Sequence, residues 1–332
     1  MVPSPPAACP GGYRDMRHAA AWAELPGRST VLVRGRDALH FVDHFTTAAL
    51  ANLPIGAGVE GFFSDARGWV LALAAIMRVE DGLWIDALPG LSAMLAGHLE
   101  HYHIREDVEV LDAAAEHGSV LVAGADAARW LAARWTGPLP ATPFSHLAGR
   151  LGQTAVRIVA SDWYGPGGFV VQAAAADLPR LASWFAAEGL TPAEPAAVEA
   201  LRIEARLPAP ADIVERTLPQ ELDRDARAIC FTKGCYLGQE TVARIDALGH
   251  VNRRFRLLAI DAAAPAPGAV VTCGGEPAGV LTSVCESPLL GTAAGLALLQ
   301  RRFLERTGNF EVGGAAARVV APATRAESRE DG

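Results

Sequence analysis

The chain has 332 residues, of which 51% are hydrophobic and 20% charged, with a formal charge of -8; this is the profile of a globular chain of two or three domains and excludes a disordered or fibrous protein. The acidic balance argues against a broad electrostatic grip on nucleic acid, so no direct nucleic-acid partner is expected. No run reaches the ~18 to 20 consecutive apolar residues of a membrane span. The five cysteines pair in neither CxxC nor zinc spacing, which suits a reducing, cytoplasmic setting without membrane or disulfides.

Residues 1–24 open with a Pro/Ala/Gly-rich stretch lacking the basic-then-apolar order of a signal peptide, and read as a disordered leader and entry. An internal repeat follows. Val31-Leu-Val-Arg-Gly-Arg-Asp-Ala38 recurs as Val120-Leu-Val-Ala-Gly-Ala-Asp-Ala127, each copy a strand, a Gly turn and an Asp placed to accept backbone N–H bonds at a helix start. Helices are expected over 39–50 and 128–135. Ser64-Asp65 before Trp69–Leu73 is echoed by Ser161-Asp162 before Phe169–Ala173, each a turn feeding a strand, and further helices are expected near 91–101 and 178–188.

The fold expected is α+β: two tandem split βαβ, ferredoxin-like halves, 25–118 and 119–245. Short β-type segments at 256–260, 269–273, 279–284, 295–299 and 316–320, separated by Pro/Gly turns, indicate a small C-terminal β-barrel over 246–323. The charged residues 324–332 read as a flexible tail.

Between Leu201 and Arg254 the texture becomes polar among glycines and prolines, as sites on loops are. In Thr232-Lys-Gly-Cys-Tyr-Leu-Gly-Gln-Glu240, Gly234 and Gly238 free the backbone for positive φ or close approach to a ligand. Cys235 lies between them with Lys233 two residues before it, and a nearby cation favours the thiolate. Gln239 and Glu240 then open a helix or strand that carries Arg244. Cys230, flanked by Ile229 and Phe231, reads as a core or strand residue, and Cys273 and Cys285 as residues of β-domain strands. Upstream, Leu201-Arg-Ile-Glu-Ala-Arg-Leu-Pro208 alternates apolar and charged residues, as in a half-exposed strand or the last turns of a helix with Arg202 and Glu204 outward.

The series LRIEA-x-LP, Asp212, LPQE at 218–221, KGCYLGQE at 233–240, ARI at 243–245 and GHVNRR at 249–254 closely resembles the YgfZ family of folate-binding proteins, distant kin of the glycine-cleavage T-protein (aminomethyltransferase). The resemblance implies a three-domain cloverleaf around a central opening, a tetrahydrofolate site facing it, and a C-terminal barrel. It makes Glu204 the carboxylate that holds the pterin and Cys235 the residue that handles iron–sulfur clusters or redox chemistry. The catalytic candidates are then Cys235 and Lys233. The folate-binding candidates are Glu204, Arg202, Asp162, Tyr164, Gly234, Gly238, Gln239, Glu240 and Arg244, with Cys235 as a shared ligand of a transient iron–sulfur cluster.

Two departures qualify the resemblance. Where the T-protein carries an Asp in a Gly-Gly-x-x-Asp-Asp block, this chain has Gly68-Trp-Val-Leu-Ala-Leu73, so the electrostatic partner of aminomethyl transfer is missing. Arg206 stands where relatives have Gly. The function implied is a folate-binding accessory protein supporting iron–sulfur assembly or repair, partnering assembly or client proteins and serving iron–sulfur enzymes such as those that modify tRNA. The alternative is a folate-dependent aminomethyltransferase or demethylase.

Overall fold

The two VLV repeats become interior strands of two sheets that share one connectivity. The computed structural model describes residues 9–305 and 309–321, so the start of the expected leader and the expected tail lie outside the described residues. The first half runs as strand Ser29–Arg34, helix Ala38–Asp43, strands Gly58–Ser64, Val70–Val79 and Gly82–Ala87, helix Ser92–Tyr102 and strand Glu109–Asp112. The second repeats that order: His117–Ala123, helix Ala127–Ala132, His146–Leu151, Thr154–Ser161, Gly168–Ala174, helix Leu178–Ala187 and Thr191–Pro192. Each half thus has three strands between its helices, one more than a split βαβ unit.

Within each sheet the three middle strands form a meander, and the first strand of the half packs beside the last of them. The sheets differ by one insertion. Residues 13–24, the entry that follows the leader, form the helix Tyr13–His18 and the strand Ala21–Glu24. That strand enters the second sheet antiparallel to His117–Ala123 and parallel to Thr191–Pro192. Its alternating burial, with Ala21 and Ala23 inside and Tyr13 and Met16 buried just before, supplies the apolar surface that anchors it.

The helices expected over 39–50 and 128–135 are shorter, at six residues each, Ala38–Asp43 and Ala127–Ala132. The first stops at Asp43, whose Oδ1 accepts the N–H of Leu50 at 2.6 Å, and the chain then turns so that Thr46 bridges Phe63 in the sheet. Asp37 and Asp126 do precede these helices, but neither side chain caps one. Asp37 Oδ2 instead accepts the N–H of Asp107 at 2.9 Å, and Asp126 pairs with Arg129.

The C-terminal unit is a closed barrel. Its strands are Arg253–Ile260, Val270–Cys273, Glu276–Ser287, Thr292–Gln300, Phe310–Val312 and Ala315–Val319, the three-residue Phe310–Val312 being the one not expected from the sequence.

Strand alternation divides the core. Val31 and Val33 face the helices of the first half with Phe41, Leu95 and Leu99, while Leu32 faces the other way. Val120 and Val122 do the same against Leu131 and Phe185, with Leu121 turned away. The residues turned away meet between the units: Phe62, Leu73, Trp163, Leu201, Tyr236 and Phe255 belong to one cluster drawn from both halves, the connecting segment and the barrel. The region where the three units meet is therefore packed with apolar side chains. Among the described residues no helix is long and apolar enough to cross a membrane.

Candidate functional site

The segment 228–238 is stitched onto the first half. Gly238 has φ +83 and opens the helix Gln239–Leu248; a Cβ there would stand 2.7 Å from both Asp65 O and Gly68 Cα, so only glycine fits. A Cβ on Gly234 would meet no atom within 4 Å, and its φ is not positive, so space does not demand a glycine there. Leu237 N–H donates to His44 O at 2.8 Å and Cys230 N–H to Thr47 O at 2.9 Å.

Lys233 completes the seam. Its side chain is 3% exposed, and Nζ donates to Asp43 O (2.6 Å), Asp43 Oδ1 (3.0 Å), Thr46 O (3.0 Å) and Ala48 O (2.6 Å). Burial draws its ammonium below the ordinary lysine range, with Asp43 opposing. Its ammonium also lies 5.4 Å from the centroid of the buried Tyr236 ring. Lys233 is thus placed as a brace for the loop, and Cys235 is left exposed on it. Gln239 is half-buried in the first turn of the following helix, where Glu240 and Arg244 stand exposed.

Cys230 differs from its expected place. Ile229 takes the buried position, and Cys230 sits half-buried in the loop with its Sγ 3.6 Å from Thr232 Oγ1. That contact, the N–H groups of Thr232 and Lys233, and the Lys233 charge hold its thiol below the ordinary cysteine range.

Glu204 ends the helix Pro195–Glu204 with its carboxylate fully buried. Tyr13 Oη donates to both oxygens (2.9 and 2.7 Å), Arg17 pairs with Oε2, and Ser287 Oγ donates to Oε1 at 2.6 Å. Burial, and then Glu204 itself, push the Tyr13 phenol well above its ordinary range. Beside this cluster lies a cavity of about 450 Å³ lined by Tyr13, Arg14, Arg17 and Leu289 among others. Arg202, two residues back, is buried and engaged by Glu199, Leu207 O and Asp212, and Asp212 in turn accepts from Ser283 of the barrel at 2.8 Å.

The Asp162–Tyr164 turn is equally engaged. Asp162 takes both guanidinium nitrogens of Arg227 (3.0 and 2.6 Å). Trp163 Nε1 donates to Glu60 at 2.8 Å, and Glu60 also holds Arg224 and Arg227. Burial alone would push the Glu60 carboxyl up, yet Arg224 and Arg227 outweigh it and the pKa falls below the usual range. Tyr164 is buried against Arg28, which is locked to Asp86. Among the described residues no group of three or more His, Cys, Asp or Glu could hold a metal ion.

Residues 8–227 match the GCVT N-terminal domain, and 253–327 match the glycine cleavage T-protein C-terminal barrel domain. The chain belongs to the glycine cleavage T-protein family. It is 22% identical over 304 residues to the aminomethyltransferase of Listeria monocytogenes serotype 4b, covering 91% of this chain and 84% of that one. It is 26% identical over 303 residues to the aminomethyltransferase of Rubrobacter xylanophilus, covering 90% and 80%. In fold it is similar to the glycine cleavage system aminomethyltransferase T from Bartonella henselae, with TM-score 0.80 and 19% identity over 93% of this chain and 87% of that one.

The two positions expected from the sequence to depart from the family pattern, Ala72 and Arg206, have these places in the structure. Ala72 and Leu73 are fully buried in the strand Val70–Val79, Ala72 in the core of the first half and Leu73 in the shared cluster. Arg206 takes the left-handed conformation at φ 55, and its Nη2 bonds Val320 O and Ala321 O at the end of the barrel (2.8 and 2.5 Å). As T-protein kin this chain is expected to present Glu204 to a pterin, yet both oxygens are already occupied, so the residues as arranged do not fit the ring without displacing Tyr13 and Arg17.

Sequence reasoning missed Glu60, Tyr13, Arg17 and Asp43. A lone charge in the apolar run Gly58–Ser64 is the signal for Glu60, and the i,i+4 spacing of Tyr13 and Arg17 on one helix face is the signal for that pair.

Proposed function

We propose that this member of the T-protein family is a folate-binding accessory protein of the YgfZ type, supporting iron–sulfur cluster assembly or repair in the cytoplasm through the thiol of Cys235. The observation that carries the reading is positional. The exposed Cys235 rides a loop braced by Gly238 on the Asp65–Gly68 turn, four residues before buried Ala72, at the point where the T-protein pattern has its Asp. A thiolate is a ligand that iron–sulfur clusters select, whereas a methyl side chain supplies no charge to an aminomethyl transfer. One cysteine cannot hold a cluster by itself, so the remaining ligands come from a partner protein, a second chain or a small thiol.

Anaerobic reconstitution with iron and sulfide tests this role. The wild type is expected to develop cluster absorbance that Cys235→Ser lacks; identical spectra for the two overturn the ligand role. Calorimetric titration with tetrahydrofolate tests the folate role, for which Arg17 and Tyr13 must yield Glu204. Binding is expected in the wild type and lost in Glu204→Gln.

The second reading, an aminomethyltransferase or demethylase, is favoured by the names of the relatives. Turnover of tetrahydrofolate with an aminomethyl or N-methyl donor, unaffected by Cys235→Ser, would establish it in place of the first.

A further inference from the structure

The cavity beside Glu204 carries side-chain charge of one sign. It encloses about 450 Å³ between the helix Tyr13–His18 and the barrel turn at 288–291. Arg14, Arg17 and His18, three and four residues apart on one face of that helix, all line it. None of the residues lining it is an aspartate or a glutamate, in a chain with 37 acidic residues against 29 lysines and arginines. The barrel turn adds Pro288 and Leu289, and Leu289 is 57% exposed.

The basic residues differ in what they already hold. Arg17 gives Nη2 to Glu204 and Nε to Tyr13 Oη at 3.1 Å, which leaves its Nη1 free. The Glu204 carboxylate is fully buried and does not line the cavity. Arg14 and His18 are exposed, and among the described residues neither has a hydrogen-bond or ion-pair partner. Their donors are therefore open to a guest. A concave wall that gathers unpaired positive charge, with no acid to neutralise it, draws anions. The apolar turn beside it gives an anion with an apolar body a surface to cover.

We propose that this cavity binds an aryl monocarboxylate. The one unpaired guanidinium, Arg14, calls for a single negative charge, and a carboxylate matches its parallel N–H donors. The His18 ring offers a further N–H in either charge state. A dianion such as a phosphate monoester is disfavoured by the Glu204 carboxylate behind Arg17. Pro288 and Leu289 call for an apolar body. A flat ring loses fewer torsions on binding than an alkyl chain, and it packs against a guanidinium face. At roughly 30 Å³ per water-sized unit the volume admits up to about fifteen non-hydrogen atoms, enough for a substituted benzoate. The proposal requires neither Cys235 nor a ligand on Glu204, and it stands independently of the function proposed above.

Calorimetry with benzoate on the full chain is the test, with acetate, benzamide and phenyl phosphate as comparisons. Benzoate is expected to bind at one site, with acetate, which lacks the ring, and benzamide, which lacks the charge, each at least about fivefold weaker. Arg14→Ala is expected to weaken benzoate at least about tenfold and Leu289→Ser at least about threefold. Both side chains are exposed, so folding is expected to survive, and circular dichroism checks it. Backbone amide resonances of residues 13–18 and 289–291 should shift on titration of the wild type, which keeps the test valid if either variant fails to fold. Unmoved resonances in both segments, benzamide binding equal to benzoate, phenyl phosphate binding more tightly than benzoate, or undiminished binding in folded Arg14→Ala would each overturn the proposal.

Discussion

Gly68 and Gly238 meet backbone to backbone: a Cβ on Gly238 would stand 2.7 Å from Gly68 Cα, and one on Gly68 would stand 3.0 Å from the Gly238 carbonyl oxygen. Both residues have positive φ, 80° and 83°. The loop that carries Cys235 is therefore keyed to the turn that leads into Ala72.

That contact sets the first prediction. Gly238→Ala adds both left-handed strain and a backbone collision, and is expected to cost about 2 to 3 kcal/mol of stability. Gly234→Ala, four residues away in the same motif, meets nothing within 4 Å and is expected to stay within about 0.5 kcal/mol of the wild type. Urea unfolding of the two variants checks the contrast; equal losses would mean that the glycine-to-glycine contact does not hold the loop.

How much of this was legible beforehand varies with the range of the interaction. The VLV repeat and the strand spacing of 256–320 revealed the tandem halves and the barrel because alternation and turn residues act locally. The insertion of Ala21–Glu24 beside His117–Ala123 was not legible, since nothing in the short run Ala-Trp-Ala-Glu names a partner strand a hundred positions away. Within the motif, the glycines, the lysine and the cysteine stood out, but their partners did not. Lys233 reads as a cation beside a thiol, whereas its four acceptors lie on residues 43 to 48, and three of the four contacts are to backbone carbonyls that no sequence pattern marks. Cys230 reads as apolar by its flanking residues, whereas in the structure Thr232 first, and the Lys233 charge last, hold its thiol below the ordinary range.

The second prediction follows from Lys233. Lys233→Met removes the partner of Asp43 and leaves three inward carbonyls unmet, so a loss of about 3 kcal/mol is expected, the scale for breaking a buried ion pair. A chemical readout accompanies it. Thr232 first, then the backbone N–H groups of Thr232 and Lys233 and last the Lys233 charge favour the Cys230 thiolate, so the pH midpoint for alkylation of Cys230, read by peptide mass spectrometry, is expected below the ordinary cysteine range in the wild type and slightly higher in the variant. An unchanged midpoint in folded Lys233→Met would mean that Thr232 and the backbone alone set it.

Glu204 gives the third. Tyr13→Phe removes one donor from a buried carboxylate and is expected to cost about 1 to 3 kcal/mol. Arg17→Met removes the countercharge and is expected to cost more, toward about 3 to 5 kcal/mol, because it leaves Glu204 buried and unpaired. Thermal unfolding of both variants and of the double variant checks the order. If Arg17→Met costs no more than Tyr13→Phe, the ion pair is not what holds the N-terminal helix to the barrel side.

The fourth concerns acid, where two residues act in opposite senses. Burial, with Arg157 adding to it, draws His146 down to about 4, so between that value and the ordinary ~6.5 the unfolded chain binds the proton that the native one refuses. Stability from His146 is thus present above the ordinary value and is lost as pH falls toward 4. Its size is up to about 2 kcal/mol after allowance for solvent screening. Asp225 runs the other way. Burial, then Asp223, push its carboxyl up to about 6, and its Oδ1 is buried without a partner. From the ordinary ~3.9 up to that value the native chain holds the extra proton, so stability falls as pH rises, by about 1 kcal/mol once its partial exposure is discounted. The two slopes oppose each other across pH 4 to 6 and flatten the wild-type curve. Asp225→Asn is expected to steepen the rise of stability with pH and to gain about 1 kcal/mol at pH 7, while His146→Gln is expected to leave a curve that declines from pH 4 to 6. Urea unfolding at half-unit steps from pH 4 to 7.5 measures both slopes, and variants parallel to the wild type would assign the acid response to other groups.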